Sequence, residues 1–323
     1  MKRNLRRFGI VLTLLLLAAA IGLWLARDVP RQRVEQTLSQ SFGGEVRVGR
    51  LVLLGRRQVA LEQVAMRAPQ ALPWLEELQI NRIEATGPLA AMADGRFEVL
   101  RVLDADARLA PVPAGSRAPP APPSTLAAEL LSIERLQVLY SHGEADSAIQ
   151  VEGLVRGLGS GSSGALHLSS DRLALAPLLA IAGFDLPLDA TADDATATVR
   201  LIAPASATVV ATAAELVISR LGRAQTLGSP RVDGTIQLRE DGGLELELVP
   251  ALTGVESSRV EAGMTGKPRR LDRLAARVQG AHLAPWLDLL DIVPAGWSAD
   301  GTADGELRGS PADGFELSVR VQV

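Results

Sequence analysis

The sequence predicts a mainly β protein: an N-terminal transmembrane helix followed by a long curved antiparallel β-sheet, groove-like, with a few short covering helices. Three observations predict it. Phe315 to Val323 alternates throughout, with Phe315, Leu317, Val319, Val321 and Val323 on one side and Glu316, Ser318, Arg320 and Gln322 on the other, the pattern of a strand with one oily and one wet face. Asp241, Gly242 and Gly243 read as a three-residue hairpin loop with Gly at the left-handed position. Finally, the 323 residues are 47% hydrophobic but only 3% aromatic, so Ala, Leu and Val do the burying, which suits a thin sheet better than a thick core.

Residues 1–7 form a basic tail, with Lys2, Arg3, Arg6 and Arg7 ahead of an uncharged stretch from Phe8 to Ala26. At ~1.5 Å per residue that stretch reaches about 28 Å, close to the ~30 Å hydrocarbon core of a bilayer. The cations keep the tail cytoplasmic and Trp24 sits at interface depth, so the bulk of the chain is expected on the far side of the membrane. The competing reading is a cleaved signal peptide, with Leu12 to Leu17 as its apolar region and Ala18 to Ala20 as the processing site. Retention is preferred, because no polar stretch separates the apolar run from that site.

Asp28 then caps a short helix with Pro30 in its first turn and Val34, Leu38 and Phe42 on one face, stopped by Gly43 and Gly44. Residues 28–110 make this helix plus a first β-groove module. In Glu45 to Leu54 the alternation breaks at Gly49 and Arg50, as a bulge would make it do. Around 241–243 the three-residue loop sets Ile236 opposite Leu248, Leu238 opposite Leu246 and Arg239 opposite Glu245. Further strands are expected at Ile149 to Glu152, Ala165 to Leu168, Ala195 to Leu201 and Leu216 to Ser219. Short helices are expected near Pro88 to Met92, Pro177 to Ala182 and Pro285 to Leu290. Residues 111–124 hold six prolines and read as an extended linker. In residues 125–323, Leu175, Ala176, Pro177 and Leu179 recur as Leu283, Ala284, Pro285 and Leu287, and Asp189, Thr191, Ala192 and Asp193 recur as Asp300, Thr302, Ala303 and Asp304. Each copy reads as a short helix, an Asp-rich turn and a strand.

Composition excludes several classes of chemistry. The chain has no Cys, only three His (His142, His167 and His282), and a net charge of -4; thiolate chemistry is absent and a nucleic-acid partner is disfavoured. Gly159, Gly161 and Gly164 have the spacing of a dinucleotide-binding turn but run into a strand rather than a helix, so they read as a hairpin loop. Asp300, Thr302 and Asp304 resemble the start of a calcium loop, yet Pro311 stands where its Glu belongs. Asp193 and Asp194 are neighbours and do not share a face. No catalytic, metal or cofactor site is expected. Arg56 and Arg57 read as a solvated turn, with contact to anionic lipid head groups as the alternative.

The basic tail, spanning segment, amphipathic helix, paired strands Val46 to Leu54 and Val59 to Met66, and Ile80 to Gly95 leading into Phe97 to Leu109 together resemble the AsmA-like family of Gram-negative envelope proteins, related to TamB and to bridge-like lipid transfer proteins. Ile133 to Ser141, Ile149 to Val155 and the two repeat units at 175 to 200 and 283 to 308 look like that family's repeats. The resemblance implies a periplasmic β-groove lined with apolar side chains, roles in phospholipid traffic and outer-membrane assembly, and no catalytic residues. Family members are usually longer, and ending on the alternating strand at Val323 points to a fragment or a short member.

Ile236, Leu238, Leu244, Leu246 and Leu248, with Phe315, Leu317, Val319 and Val321, are the expected lipid-groove residues. Phospholipid acyl chains and inner-membrane lipids are the expected partners. Two alternatives stay open: a sheet folded over onto itself around a dry core, and an assembly factor whose β-edge pairs with client outer-membrane proteins.

Overall fold

The computed structural model describes residues 31, 32, 35, 36, 39, 44–67, 75–93, 96–110, 127–142, 145–158, 162–181, 189–202, 206–220, 223–238, 244–253, 259–267, 270–282, 301–310 and 314–322. The expected tail, spanning segment, Pro-rich linker, loop at 241–243 and helix at 285–290 lie outside them. Among the described residues no helix is long and apolar enough to cross a membrane.

The protein is mainly β. One long curved sheet takes in β1 (Glu45–Gly55), β2 (Gln58–Arg67), β3 (Leu75–Thr86), β4 (Arg96–Leu109), β5 (Ala127–His142), β6 (Ala145–Leu158), β7 (Ser163–Ala174) and β8 (Asp189–Ile202). It continues through β9 (Ser206–Thr212), β10 (Glu215–Arg220), β11 (Arg223–Leu238), β12 (Leu244–Thr253), β13 (Arg259–Lys267), β14 (Arg270–His282), β15 (Thr302–Ser310) and β16 (Gly314–Gln322). Strands neighbour one another in chain order, except that β9 and β10 lie end to end between β8 and β11. Helix α1 (Leu89–Ala93) packs on β4, and α2 (Leu175–Ile181) packs on both β5 and β8. These are the expected short helices, with Pro88 just before one and Pro177 in the first turn of the other.

Four expectations are corrected. The sheet is not wholly antiparallel: β4 and β5 run parallel, with Arg96 beside Ala127 and Leu109 beside Tyr140. A parallel pair needs a crossover rather than a tight turn, and the residues between Leu109 and Ala127 supply it. The β11–β12 register is shifted by two residues, setting Ile236 opposite Leu246, Leu238 opposite Leu244 and Gln237 opposite Glu245. Side chains alternate with period two, so a slip of two keeps the oily face oily, and alternation alone does not decide between the registers. Asp189 to Asp194 is the start of β8, not a turn.

The fourth correction concerns Gly49 and Arg50. β1 is not bulged alone there, because the β1–β2 register is the same on both sides, with Val48 opposite Val64 and Leu51 opposite Leu61. Both strands change the phase of their alternation together. The same break, two residues between apolar positions, aligns across β1 to β5: Gly49 and Arg50, Glu62 and Gln63, Asn81 and Arg82, Leu103 and Asp104, Glu134 and Arg135. It ends at β6, where Glu152 alone lies opposite the last pair and the register shifts.

A second seam crosses β7 to β11 at Asp171 and Arg172, Asp193 and Asp194, Ala214 and Glu215, Gly228 and Ser229. Among the described residues the non-glycine residues at positive φ are Gln63, Asp194 and Ser229, each on a seam. Gly49 is required at the first seam, since a Cβ there would lie 2.8 Å from Gln63 Oε1 and 2.9 Å from Gln63 Cβ. Bulge-like insertions kink strands and increase twist, so aligned insertions bend the sheet as a whole.

Candidate functional site: an apolar track across the sheet

Residues directly opposite in a ladder share a face, so the registers join the expected groove residues into rows. Ile236 lies opposite Leu246, which lies opposite Met264; Met264 lies opposite Leu274, Leu274 opposite Gly309, and Gly309 opposite Phe315. Running the other way, Ile236 lies opposite Ala207, and the row continues through Leu201, Gly164, Val155, Leu131, Leu100, Ala85 and Val59 to Leu53 in β1. Every position in the row is apolar or glycine.

The next row on that face is also free of polar residues. It begins Leu51, Leu61, Ile83, Val102, Ile133 and Gly153, continues Leu166, Val199, Val209, Gly234 and Leu248, and ends Ala262, Ala276, Leu307 and Leu317. A third row runs from Val48 through Val64, Ile80, Ala105 and Leu136 to Val151, Leu168 and Ala197, then through Ala211 and Val232 to Pro250. At the far end, Val260, Val278, Gly305 and Val319 form a row of the same kind. Leu238 and Leu244 form a further pair beside Ile236, and Val321 lies opposite Ala303.

With strands ~4.8 Å apart and fifteen strand positions from edge to edge, the track is roughly 67 Å long. Its middle row is half-buried at every position from Leu51 in β1 to Gly234 in β11, neither sealed nor fully exposed. At the edges it opens further: Leu53 is 66% exposed and Val319 53%. The driest part lies at the β1–β4 end, where Val46, Val48, Val64, Met66, Leu75 and Ala107 form a buried cluster.

Two of the glycines in the rows are there for the backbone. Gly153 and Gly164 have φ of 151° and 152°, and a Cβ on either would come within 2.2 Å or 2.0 Å of a carbonyl oxygen of the opposite strand. Gly164 therefore serves close strand pairing, and Ala165 to Leu168 is strand, as the sequence indicates. Over the α2 end of the face, buried Tyr140 donates its OH to the Ala174 carbonyl at 2.9 Å and Ser170 Oγ donates to the Ala148 carbonyl at 2.7 Å. Burial raises the Tyr140 hydroxyl above its ordinary pKa.

The opposite face is wet. Between the first two apolar rows its own row holds Glu84, Arg101, Ser132, Arg200, Thr208 and Thr235, interrupted by Val52, Ala60, Leu154 and Ala165. Arg82 bridges Glu62 at 3.6 Å and Glu84 at 2.7 Å, and Arg101 meets Glu134 at 2.9 Å. Asn81 and Arg135 both donate to Asp104, at 2.5 and 2.7 Å. These two bonds hold the Asp104 carboxyl below its usual pKa, Asn81 contributing most. Exposed pairs of this kind are worth ~0–1 kcal/mol each, so they set which face is wet more than they stabilise the fold.

Little chemistry gathers here. His167 lies exposed on the wet face, its Nδ1 3.2 Å from Thr198 Oγ1, while His142 and His282 stand far along the sheet at the ends of β5 and β14. Among the described residues no group of three or more His, Cys, Asp or Glu is placed to hold a metal. Arg57 in the β1–β2 turn is ion-paired with Glu98.

The registers bring all nine expected groove residues onto one face. Sequence reasoning missed the strands that connect them, β13 and β14 above all, because their apolar positions mix Val260, Met264, Leu274 and Val278 with Ala262, Gly266 and Ala276, which dilutes the alternation. The chain matches no family model, no curated protein and no solved structure.

Proposed function

We propose that this chain is a single-pass inner-membrane protein, N-terminus cytoplasmic and bulk periplasmic, whose sheet binds or conducts phospholipid acyl chains and supports outer-membrane assembly, without covalent chemistry. The observation that carries the reading is the apolar track. Half the hydrocarbon core of a bilayer, ~15 Å, is the reach of one acyl chain, so a track of roughly 67 Å accommodates several in line. A half-buried oily face with sparse helical cover supports a groove over a dry folded-over core. The basic tail, the Phe8 to Ala26 segment and the AsmA-like resemblance support the placement in the envelope.

The test is direct. Photo-crosslinkers at Leu246 and Val319 should capture lipid in the full-length protein, and mass spectrometry should find phospholipid bound to it. Leu246→Asp and Val319→Asp should lower lipid capture at a cost of roughly 2–4 kcal/mol to an occupied site, whereas Glu247→Lys and Arg320→Glu on the wet face should not. Capture of protein alone at both positions would sink the groove and favour the edge-pairing reading, since the outer edge of β16 has no partner strand among the described residues.

A further inference from the structure

A sheet edge presents unpaired N–H and C=O groups that invite another strand. The first half of the β1 edge is different: the Val46 and Val48 N–H groups are both taken by side chains of a helical segment. Glu35 Oε1 accepts from the Val48 N–H at 2.8 Å, and Ser39 Oγ accepts from the Val46 N–H at 3.2 Å. Arg31 Nη1 donates to the Gly49 carbonyl at 3.4 Å, and its Nε lies 4.0 Å from Glu35 Oε1.

The spacing explains why a helix serves. Residues four apart in a helix rise ~6 Å, and residues two apart in a strand advance ~6.7 Å. Glu35 and Ser39, one four-residue step apart, therefore stay level with Val48 and Val46, and Arg31, a step earlier, reaches the neighbouring Gly49 with its longer side chain. Chain direction fits too: residue 31 meets Gly49 and residue 39 meets Val46, so the segment runs antiparallel to the strand.

We propose that Arg31, Glu35 and Ser39 form an edge lock, holding the place where a further strand would hydrogen-bond and thereby preventing β1 from pairing with β1 of a second copy. The lock needs no lipid and stands independently of the groove reading. It uses only short-range polar contacts, so its removal acts locally.

The experiment uses the full-length protein and residue-resolved amide exchange. In Glu35→Ala/Ser39→Ala, exchange at Val46 and Val48 should accelerate at least tenfold while Leu61 and Ile83 keep their protection. Glu35→Gln, whose side-chain oxygen still accepts, should retain the wild-type rate at Val48. The chain has no Cys, so Arg47→Cys reports edge pairing cleanly: β1 strands paired about residue 47 bring the two thiols within disulfide reach. Disulfide-linked dimers should form when Arg47→Cys is combined with the double variant and not when it is made alone. Unchanged exchange at Val46 and Val48, acceleration spread evenly through the sheet, or no dimer from the unlocked chain would each overturn the proposal.

Discussion

The β1–β4 end and the β8–β11 stretch share one alternation and differ in how dry they are. At the first, the buried apolar residues are large and contiguous: Val46, Val48, Val64, Met66 and Leu75. Along the second they are Ala192, Ala195, Ala207 and Leu227, while Val232, in the same row as Val48 and Val64, stays half-buried. Pattern decides which face is apolar; what lies over that face decides whether it becomes core.

The largest effect expected from this comparison is at the dry end. Val64→Asp places a charge inside a buried cluster with no partner and should cost about 4 kcal/mol or more, read as a collapse of the denaturant midpoint. Val209→Asp, in the half-buried middle row, should cost no more than ~1 kcal/mol and should instead reduce lipid capture. Equal destabilisation at the two sites would erase the distinction between core and track.

Next in size is Gly164→Val, between the two regions. A Cβ there would sit 2.0 Å from the Leu154 carbonyl oxygen, so β6 and β7 must part, at more than ~2 kcal/mol. Calorimetry should show a lowered Tm, with Gly153→Val behaving alike across the same pair.

Tyr140→Phe removes the hydrogen bond to Ala174 from beneath α2 and should cost ~1 kcal/mol, with faster amide exchange confined to α2 and its flanks. The smallest effect is electrostatic. Asp104's folded pKa is lowered, so its contribution is full above the unfolded value of about 3.9 and fades as pH falls through the folded one. Asp104→Asn should therefore lower stability slightly near neutrality and converge on the wild type below about pH 4, which flattens the acid limb, in acid titrations followed by circular dichroism.

How much of this was legible in the sequence depends on what each residue pattern encodes. Phe315 to Val323 shows its two faces plainly, and β16 is there. The hairpin at Ile236 to Leu248 was readable as a pair but not in register, because every even slip keeps leucine opposite leucine or isoleucine. The seam was visible only in part. Val48-Gly49-Arg50-Leu51 looks like one strand's irregularity until Leu61-Glu62-Gln63-Val64, Ile80-Asn81-Arg82-Ile83 and Ile133-Glu134-Arg135-Leu136 are set beside it by pairing. The parallel β4–β5 junction carries no local signal at all: 111–124 indicates reach, not the direction of the returning strand. Of the track, the nine positions on one hairpin and one strand were readable, and the row that joins them was not, since register is a long-range property.

The rows run across the strands rather than along them, so each strand gives the track only about three residues. A strand added beside its neighbours lengthens the track by ~4.8 Å, and a hairpin by about twice that, without altering a contact made elsewhere. Length in this architecture is thus counted in hairpins, while width is set by how many alternating positions each strand keeps apolar, and the two are adjustable separately.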